Sequence, residues 1–316
     1  MIIKGSWRNK MGKKYDVIIV GAGIAGLTAG IYARRAGKTV LVFEGKVPGG
    51  QIINTLQIEN WPGDYGVSGV DLIQKIQKQA VELGVEIEIE EVVGVRGQKD
   101  SFVVEAEDGE YEAEAVILAV GSEDKKLGLK REDDLTGKGV SYCATCDGAF
   151  YKGKNVAVIG GGNTALQDAL YLSELVKKVY LVHRRDEFRG DKVLVDRLRG
   201  KENVEFVLGY VPKEILGEEK VSGVRLAPSG LVDEIKEGRD LEIEGMFVAI
   251  GKNPMTKGFS ELVDLDENGY IIAGEDCRTS CKGVFVAGDC RTKNVRQLVT
   301  AASDGATAVD SLLDLI

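Results

Sequence analysis

Two cysteines separated by two residues offer the most distinctive chemistry in this sequence. The run Cys143-Ala144-Thr145-Cys146-Asp147 also places a carboxylate directly after the second thiol. A Cys-x-x-Cys pair can close into a disulfide that is reduced and formed again, or it can hold two corners of a zinc site. The pair alone permits both roles, so the surrounding sequence has to decide between them.

A glycine-rich fingerprint precedes the cysteine pair. Residues 15–20 form an apolar run that ends in a glycine-rich turn, a helix-like stretch follows up to Arg35, and residues 39–43 form a second apolar run that ends at Glu44. The turn before the helix consists of Gly21, Ala22, Gly23, Ile24, Ala25 and Gly26. Such glycines allow a pyrophosphate to approach the helix N-terminus, while the acid accepts ribose hydroxyls. The pattern predicts a dinucleotide site; the alternative is a glycine-rich turn between packed elements.

The same pattern occurs again after the cysteine pair. Residues 155–159 and 179–182 predict strands that flank a helix, and this helix begins at the run Gly160, Gly161, Gly162, Asn163, Thr164 and Ala165. Basic residues replace the acid after the second strand, namely His183, Arg184, Arg185 and Arg189. Basic side chains suit a ribose 2′-phosphate, which a carboxylate would repel, so NADP is favoured over NAD. The alternative is a solvated basic start of a helix.

Other segments predict the elements around these motifs. Helices are expected at 70–83 and 296–315, a hairpin at 101–106 and 111–113, and further strands at 85–89, 115–120, 204–208, 221–227, 246–250, 270–272 and 283–287. The strand at 115–120 stops at Gly121, and the strand at 283–287 ends in Gly288 and Asp289. Glycine-containing loops at 48–51 and 60–63 let the backbone approach a flat ring.

Length and composition limit the classes of protein. A chain of 316 residues with 44% hydrophobic content predicts two domains. The net charge of -9 argues against a general nucleic-acid partner, and no segment approaches the roughly 18 apolar residues of a membrane span. Residues 1–14 are basic but lack the apolar middle of a secretion signal, so we interpret them as an extension, with Met11 as an alternative start.

The cysteine content also bears on location and metal binding. Five cysteines, an odd number and mostly clustered, do not form a secreted disulfide framework, so a cytoplasmic location is expected. Cys277 and Cys281 can form a disulfide, but inert thiols are favoured because short bridges demand specific geometry. Cys290 is likewise expected to be an inert thiol. Two nucleotide motifs beside the Cys143/Cys146 pair disfavour a four-cysteine zinc site, so no metal is predicted.

Taken in order, these motifs resemble a known family. The first fingerprint with Glu44, the Gly49-Gly50-Gln51 loop, the Cys-Ala-Thr-Cys-Asp run, the second fingerprint with its basic residues, and Gly288-Asp289 resemble those of the low-molecular-weight thioredoxin reductases of bacteria and archaea. The resemblance runs from about residue 15 to the end. It implies an α/β fold with two Rossmann-like dinucleotide-binding domains, the NADPH domain being inserted into the FAD domain.

The resemblance also implies domain limits and cofactor contacts. An FAD domain of 15–121 and 251–316 is expected to surround an NADPH domain of 122–250 that carries the cysteine pair. FAD contacts are expected at Gly21, Gly23, Ile24, Ala25, Gly26, Glu44, Gly49, Gly50, Gln51, Asn60, Gly121, Gly288, Asp289, Arg296 and Gln297. NADPH contacts are expected at Gly160, Gly162, Asn163, Thr164, Ala165, His183, Arg184, Arg185 and Arg189. The family is usually a homodimer.

Each carrier in a two-electron relay then has a matching motif. A nicotinamide gives a hydride, a flavin accepts it, and a dithiol passes the electrons to another disulfide. Asp147, adjacent to Cys146, is predicted to donate a proton, with helix capping as the alternative. The resemblance implies that Cys146 faces the flavin and that Cys143 attacks the acceptor.

The expected acceptor is thioredoxin or a glutaredoxin-like protein disulfide oxidoreductase. Two alternatives remain open. One is an enzyme of the same architecture with another acceptor, such as a peroxiredoxin-linked reductase or a dithiol oxidase, and the other is a flavin redox sensor without turnover. Because one flavin must serve both nicotinamide and disulfide, a hinge is predicted at Gly121 and Gly251, which can absorb backbone rotation.

Overall fold

The computed structural model describes residues 14–55, 57–98, 100–231 and 237–316. The chain divides into two compact units: the first contains the described residues up to Glu123 together with Asn253–Ile316, and the second contains Asp124–Lys252. These divisions fall two residues after the limits predicted at 121 and 250. Residues 1–13 of the predicted extension, with Met11, lie outside the described residues, and Lys14 already belongs to the first strand.

The first unit alternates strands and helices. Its first segment contains β1 (Lys14–Val20), α1 (Ile24–Arg35), β2 (Val40–Glu44), a 3₁₀ turn (Gly50–Asn54), α2 (Gly69–Glu82), β3 (Glu86–Ile89), β4 (Val92–Gln98), β5 (Ser101–Ala106), β6 (Gly109–Leu118) and the start of β7 (Ser122–Asp124). The second unit contains β8 (Val140–Ser141), α3 (Ala144–Asp147), a 3₁₀ turn (Gly148–Tyr151), β9 (Asn155–Ile159), α4 (Asn163–Ser173), β10 (Lys178–His183), α5 (Lys192–Arg199), β11 (Val204–Leu208), β12 (Tyr210–Leu216), β13 (Gly223–Pro228), β14 (Arg239–Glu242) and β15 (Gly245–Val248). The chain returns through β16 (Lys252–Pro254), which pairs with β7, to a 3₁₀ turn (Lys257–Phe259), β17 (Val284–Val286) and α6 (Leu298–Leu313).

The sheet of the first unit has the strand order β3-β2-β1-β6-β5-β4, and β17 also pairs with β6. Strands β1, β2, β3, β6 and β17 run parallel, whereas β4 and β5 add an antiparallel edge. Val17 and Ile19 of β1 belong to the core that includes residues of α1 and α6, while Ile18 and Val20 belong to the core on the opposite face. This explains the unbroken apolar run, since a parallel strand is covered on both faces. Helices α1 and α6 pack so closely that a side chain at Gly305 would overlap the carbonyl oxygen of Ala25.

The second unit repeats this architecture on a smaller scale. Its parallel sheet has the order β11-β10-β9-β15-β8, and β12, β13 and β14 form a separate antiparallel sheet. Residues of α4, α5 and β9 share one buried core, to which Leu166, Leu172 and Leu198 contribute. The predicted α/β fold with two Rossmann-like units, one inserted into the other, is confirmed. No helix among the described residues is both long and apolar enough to cross a membrane.

Three sequence predictions differ from the structure. The strand predicted at 270–272 was wrong, because only Ile271 makes isolated bridges, to Leu265 and Arg291. The two strands predicted at 111–113 and 115–120 are one strand, β6. Strands β4, β12 and β14 were not predicted, since the antiparallel edges they form carry polar side chains that weaken the apolar signal.

Candidate redox site and dinucleotide sites

The predicted redox pair is closed in the structure. Cys143 and Cys146 form a disulfide with an S–S distance of 2.08 Å. Cys143 directly precedes the short helix α3, and Cys146 lies within it. Among residues 14–55, 57–98, 100–231 and 237–316, no group of His, Cys, Asp or Glu side chains is arranged to hold a metal ion. The closed disulfide favours a redox role over the zinc site that the pair alone permits.

The carboxylate of Asp147 lies in a hydrogen-bond network beside the disulfide. Its Oδ2 accepts a hydrogen bond from Ser141 Oγ at 2.6 Å. Burial raises the pKa of Asp147, and the hydrogen bond from Ser141 opposes this rise. The carboxylate does not cap the 3₁₀ turn that follows it, so the helix-cap alternative finds no support. A carboxyl group with a raised pKa can hold a proton closer to neutral pH, as a proton donor must.

A buried carboxylate fixes the segment that leads into the disulfide. Glu132 is 2% exposed and accepts hydrogen bonds from the backbone N–H groups of Leu127, Gly128 and Leu129. The hydroxyl of Tyr142, the residue before Cys143, donates to Glu132 Oε1 at 2.8 Å. Glu132 thus ties one turn of the link at 122–138 to the residue that precedes the redox pair.

The first glycine loop is built so that side chains would not fit. A Cβ at Gly21 would overlap the carbonyl oxygen of Ala119, and a Cβ at Gly26 would overlap that of Gly21. Gly21 also has a φ of 106°, which favours glycine. Glu44 at the end of β2 accepts a hydrogen bond from the N–H of Ala22 at 3.0 Å. The loop and the acid that the fingerprint predicted are therefore in contact.

The loop at 49–51 lies against this fingerprint. Gly49 forms a bridge with Gly23, and its N–H donates to the carbonyl oxygen of Ala22 at 2.9 Å. Gly49 and Gly50 have φ angles of 123° and 62°. The amide of Gln51 donates to the backbone carbonyl of Ser122, which is near Gly121. The structure thus brings together three segments that the sequence places about 30 to 100 residues apart.

The Gly288-Asp289 loop rests on a cluster of buried charges. Asp304 of α6 accepts hydrogen bonds from the N–H of Gly288 at 2.9 Å, from Arg291 Nε at 3.0 Å and from Lys293 Nζ at 2.7 Å. All three charged side chains are less than 10% exposed. Burial raises the pKa of Asp304, but the hydrogen bonds from Arg291 and Lys293 outweigh it, so the net shift is downward.

The last two predicted flavin contacts lie at the start of α6. Gln297 is the N-cap of α6 in a capping box with Thr300, and its Oε1 accepts a hydrogen bond from Asn60 Nδ2 at 3.1 Å. Arg296 stacks on Tyr270 with 4.1 Å between the guanidinium carbon and the ring centroid. Its Nε also donates to the carbonyl oxygen of Asp289 at 3.3 Å. Asn60, Arg296, Gln297 and the Gly288-Asp289 loop are therefore neighbours.

The second glycine loop has a similar construction. A Cβ at Gly160 would overlap the carbonyl oxygen of Ala249, whereas a Cβ at Gly162 would meet no atom within 4 Å. Asn163 begins α4, and its Oδ1 accepts a hydrogen bond from the N–H of Asp191 at 2.7 Å. Thr164 is exposed and Ala165 is buried. The open space over Gly162 leaves the N-terminus of α4 accessible to a pyrophosphate.

The three predicted arginines lie beside this loop. The N–H of Arg189 donates to the carbonyl oxygen of Gly161 at 2.8 Å, which folds the segment after β10 over the glycines. Arg184, Arg185 and Arg189 are exposed. Within the part of the chain that the structure describes, their guanidinium groups make no ion pair or hydrogen bond. A cavity of about 280 Å³ is lined by their neighbours Asp186, Glu187 and Phe188, but by none of the three arginines. Exposed arginines on a segment that folds over the start of a helix suit a phosphate.

His183 differs from its basic neighbours. It is 5% exposed, its ring lies against Gly161, and it stacks on Phe188 with ring centroids 5.5 Å apart. Burial, followed by the charges of the nearby arginines, lowers the pKa of His183, so the ring is neutral at pH 7. The structure therefore gives His183 a place beneath the glycine loop, and its predicted contact with NADP stays a prediction.

The three remaining cysteines are free thiols. Cys277 and Cys290 are buried, and burial raises their pKa values to about 11 and about 12 respectively. Cys281 is partly exposed, and burial raises its pKa as well. A thiol with a raised pKa is a poor nucleophile at neutral pH. The structure agrees with the interpretation of inert thiols and shows no bridge between Cys277 and Cys281.

Sequence reasoning missed several residues of these sites. Ser141, Glu132, Asp304, Arg291 and Lys293 were not singled out. Ser141 lies two residues before Cys143, a spacing that could have drawn attention to it. The others belong to no recognisable motif in the sequence, and only the fold brings each of them to its partner.

Comparisons with known proteins agree with this geometry. The family model of the pyridine nucleotide-disulphide oxidoreductases matches residues 15–306. Thioredoxin reductase from Listeria innocua is 42% identical over 94% of this chain and 92% of the relative, and that from Bacillus subtilis is 42% identical over 95% and 94%. The crystal structure of thioredoxin reductase from Streptococcus pyogenes has a TM-score of 0.89 at 39% identity, covering 96% of this chain and 98% of that one. The chain therefore belongs to the pyridine nucleotide-disulphide oxidoreductase family and, within it, to the thioredoxin reductases.

Proposed function

We propose that this chain transfers electrons from NADPH, through FAD and the Cys143–Cys146 disulfide, to the disulfide of a thioredoxin-like protein. The observation that carries this proposal is the closed disulfide with the partly buried carboxylate of Asp147 beside it, in a chain that also contains two dinucleotide loops. The relatives named thioredoxin reductase support the choice of acceptor. A glutaredoxin-like protein disulfide oxidoreductase offers the same kind of disulfide and is included among the proposed acceptors.

The first unit would hold FAD and the second NADPH. The loops around Gly23, Gly49 and Gly288 would hold the pyrophosphate and the flat ring, and Glu44 would provide the acid for a ribose. In the second unit, the N-terminus of α4 and the three exposed arginines would hold the pyrophosphate and the 2′-phosphate. Bound FAD accepts a hydride from bound NADPH and makes two electrons available for reduction of a disulfide.

The chain's own residues then perform the thiol chemistry. When two electrons break the Cys143–Cys146 bond, Asp147 donates its proton to the sulfur of Cys146, and Cys143 is left as a thiolate. The Cys143 thiolate attacks the acceptor disulfide, which forms a mixed disulfide and releases one acceptor thiolate. Cys146 returns its proton to Asp147 and attacks Cys143, which releases the second acceptor thiolate and restores the disulfide. The acceptor thiolates take their protons from solvent.

We also propose that the enzyme works as a homodimer in the cytoplasm. The five cysteines, odd in number and mostly clustered, do not form a secreted disulfide framework, which supports this location. The homodimer follows from the family resemblance and is tested by sedimentation equilibrium of the purified chain.

The proposal is tested by replacing Cys143 with serine. The Cys143→Ser variant should retain FAD and its reduction by NADPH, yet lose at least about a thousandfold in thioredoxin reduction, because no thiolate remains to attack the acceptor. Cys281→Ser is the matched control and should retain the activity of the parent. Full activity of Cys143→Ser would contradict the assigned roles.

The same assay separates the alternative functions. Steady thioredoxin-dependent NADPH consumption identifies a reductase. Fast consumption without any protein acceptor identifies a dithiol oxidase, and a single stoichiometric reduction identifies a redox sensor.

A further inference from the structure

A buried serine hydroxyl connects the two residues on which the proposed thiol chemistry depends. Ser141 ends β8, pairs with Phe247 of β15 and is 3% exposed. Its Oγ lies 2.6 Å from Asp147 Oδ2, 3.1 Å from the backbone nitrogen of Cys143 and 3.3 Å from the carbonyl oxygen of Cys143. One hydroxyl is therefore within hydrogen-bond distance of the carboxylate and of both backbone polar groups of Cys143.

The number of protons and lone pairs on this hydroxyl limits its hydrogen bonds. A serine hydroxyl has one proton to donate and two lone pairs to accept with. When Asp147 is ionised, the hydroxyl donates to Oδ2 and accepts from the N–H of Cys143. When Asp147 is protonated, Oδ2–H donates to Oγ, Oγ still accepts from Cys143 N–H, and the serine proton turns to the Cys143 carbonyl. The carbonyl oxygen of Cys143 also accepts a hydrogen bond from the N–H of Asp147 at 3.1 Å. Each of these groups therefore keeps a partner in both states, with no movement of heavy atoms.

We propose that Ser141 is a positioning residue whose hydroxyl rotates between Asp147 and the carbonyl of Cys143, and so keeps Asp147 in place through its change of protonation. The inference rests on the proposed function, in which Asp147 gives and takes one proton in each turnover. Without the hydroxyl, an ionised Asp147 would lose a donor inside the protein, where an unpaired charge is costly. The proton would then remain on Asp147, which would no longer act as a base for Cys146.

The other titratable neighbours of Asp147 cannot replace the Ser141 hydroxyl as a hydrogen-bond partner in both protonation states. Tyr151 is the other titratable side chain that interacts with Asp147 among the described residues, and its pKa is raised to about 12, so it is neutral at pH 7. Burial is the main cause of the raised pKa of Asp147, and the hydrogen bond from Ser141 is what opposes it. Cys146 adjoins Asp147 in sequence and is the group with which the proton is exchanged. Removal of the Ser141 hydroxyl should therefore raise the pKa of Asp147 further.

The test is the pH dependence of disulfide closure. The holoenzyme is reduced with dithiothreitol, desalted and mixed with the small aromatic disulfide DTNB, in a Cys281→Ser background that removes the partly exposed thiol. The rate of the first release of thionitrobenzoate depends on the DTNB concentration. The second release reports the attack of Cys146 on Cys143, and its rate is independent of the DTNB concentration. The rate of the second release is measured from about pH 5 to about pH 9.

Ser141→Ala should slow the second release about tenfold on the acid side, with little change at the alkaline plateau, because a hydrogen bond to a charged group is lost. Ser141→Thr, which retains a hydroxyl, should restore the profile. Ser173→Ala is the matched control, since Ser173 is also buried and its hydroxyl donates only to the carbonyl of Leu170 at 2.7 Å. An equal slowing at every pH would show a merely structural role and overturn the proposal.

A second measurement does not depend on the folding of Ser141→Ala. In the otherwise unaltered protein labelled with ¹³C-serine and ¹³C-aspartate, the Ser141 Cβ and Asp147 Cγ signals, assigned with Ser141→Thr and Asp147→Asn, should titrate with the same midpoint. A Ser141 signal that ignores the titration of Asp147 would refute the rotation. Failure of thioredoxin reduction by the parent enzyme would instead refute the proposed function, whichever result the titration gives.

Discussion

The two glycine loops of this chain follow one pattern but are supported by different chemistry. In the first unit, the third position of the pattern is Gly26, and the second strand ends in Glu44, which accepts a hydrogen bond from the loop itself. In the second unit, the third position is Ala165, and the second strand is followed by arginines whose side chains are exposed. We expect the same turn to fit two nucleotides, with the residues after the second strand determining which ribose is recognised.

The groups that hold each site in place also differ. Charged residues support the first site, where Asp304 binds the N–H of Gly288 and pairs with Arg291 and Lys293. Neutral rings support the second site, where His183 lies against the glycine loop and stacks on Phe188. The Gly288-Asp289 loop of the first site is therefore held by charged groups, whereas the glycine loop of the second site lies against neutral rings. We expect these two arrangements to respond differently to substitution and to pH.

The largest expected effect concerns the third position of the glycine pattern. Gly26→Ala should abolish FAD binding and destabilise the first unit by roughly 3 kcal/mol, because the new Cβ would overlap the carbonyl oxygen of Gly21. The reciprocal substitution Ala165→Gly is the control and should cost only about 1 kcal/mol of helix propensity. Flavin absorbance and thermal unfolding measure both effects. A yellow, stable Gly26→Ala protein would show that the two loops tolerate the same residues.

The next effect concerns the choice of nicotinamide nucleotide. The double variant Arg184→Ala/Arg185→Ala should lower kcat/KM for NADPH by about 100-fold or more and leave kcat/KM for NADH nearly unchanged, since each charge-assisted hydrogen bond is worth about 1.5–3 kcal/mol. Arg197→Ala is the control because Arg197 is an exposed cation of α5 in the same unit. Steady-state kinetics with both nucleotides provide the measurement, and equal losses for NADPH and NADH would indicate general damage to the site.

These sites also show which parts of the structure can be predicted from sequence. The glycine loops, Glu44, the arginines and the cysteine pair were predictable, because each function needs particular residue types at fixed spacing along a few consecutive residues. Asp304 and Glu132 were not predictable, since neither carboxylate belongs to a local motif and each gains its role from partners that the fold supplies. His183 lies between these cases: its position in the motif was predictable, but its burial against Gly161 depends on how the segment after β10 folds back.

The failed strand at 270–272 has a related cause. A short apolar run forms a strand only when a neighbouring strand is available along its length, and Ile271 finds partners at a single position. The N–H of Ile271 donates to the carbonyl oxygen of Cys290 at 2.9 Å, and the pairing does not extend into a ladder.

The smallest expected effect is the acid sensitivity of the second unit. The pKa of His183 is lowered from 6.5, mainly by burial. Below about pH 6.5, the unfolded state therefore binds a proton at this ring more readily than the folded state does. This contribution makes the second unit less stable as the pH falls from about 7 to about 5.5.

Asp304 contributes no pH dependence in this range. Because its pKa is lowered, the stabilisation that it provides is complete above its ordinary pKa of 3.8 and is lost only as the pH falls through its pKa in the folded state. Asp168 acts in the opposite direction, because burial raises its pKa to about 7 and its protonation favours the folded state as the pH falls.

Substitution of His183 isolates its contribution to the pH dependence of stability. His183→Phe keeps a ring against Phe188 and removes the titrating group, whereas the opposing contribution of Asp168 is common to both proteins and cancels in the difference. Hydrogen exchange, resolved by unit at about pH 7.5 and about pH 5.5, should show that acid accelerates opening of the second unit more in the parent than in the variant. The first unit should show no such difference, because its support comes from a carboxylate that stays ionised. An identical acid response of parent and variant would contradict this prediction, because it would mean that the His183 ring is protonated as readily in the folded state as in the unfolded state. The charged contacts of the first unit and the aromatic contacts of the second would then not differ in their response to pH.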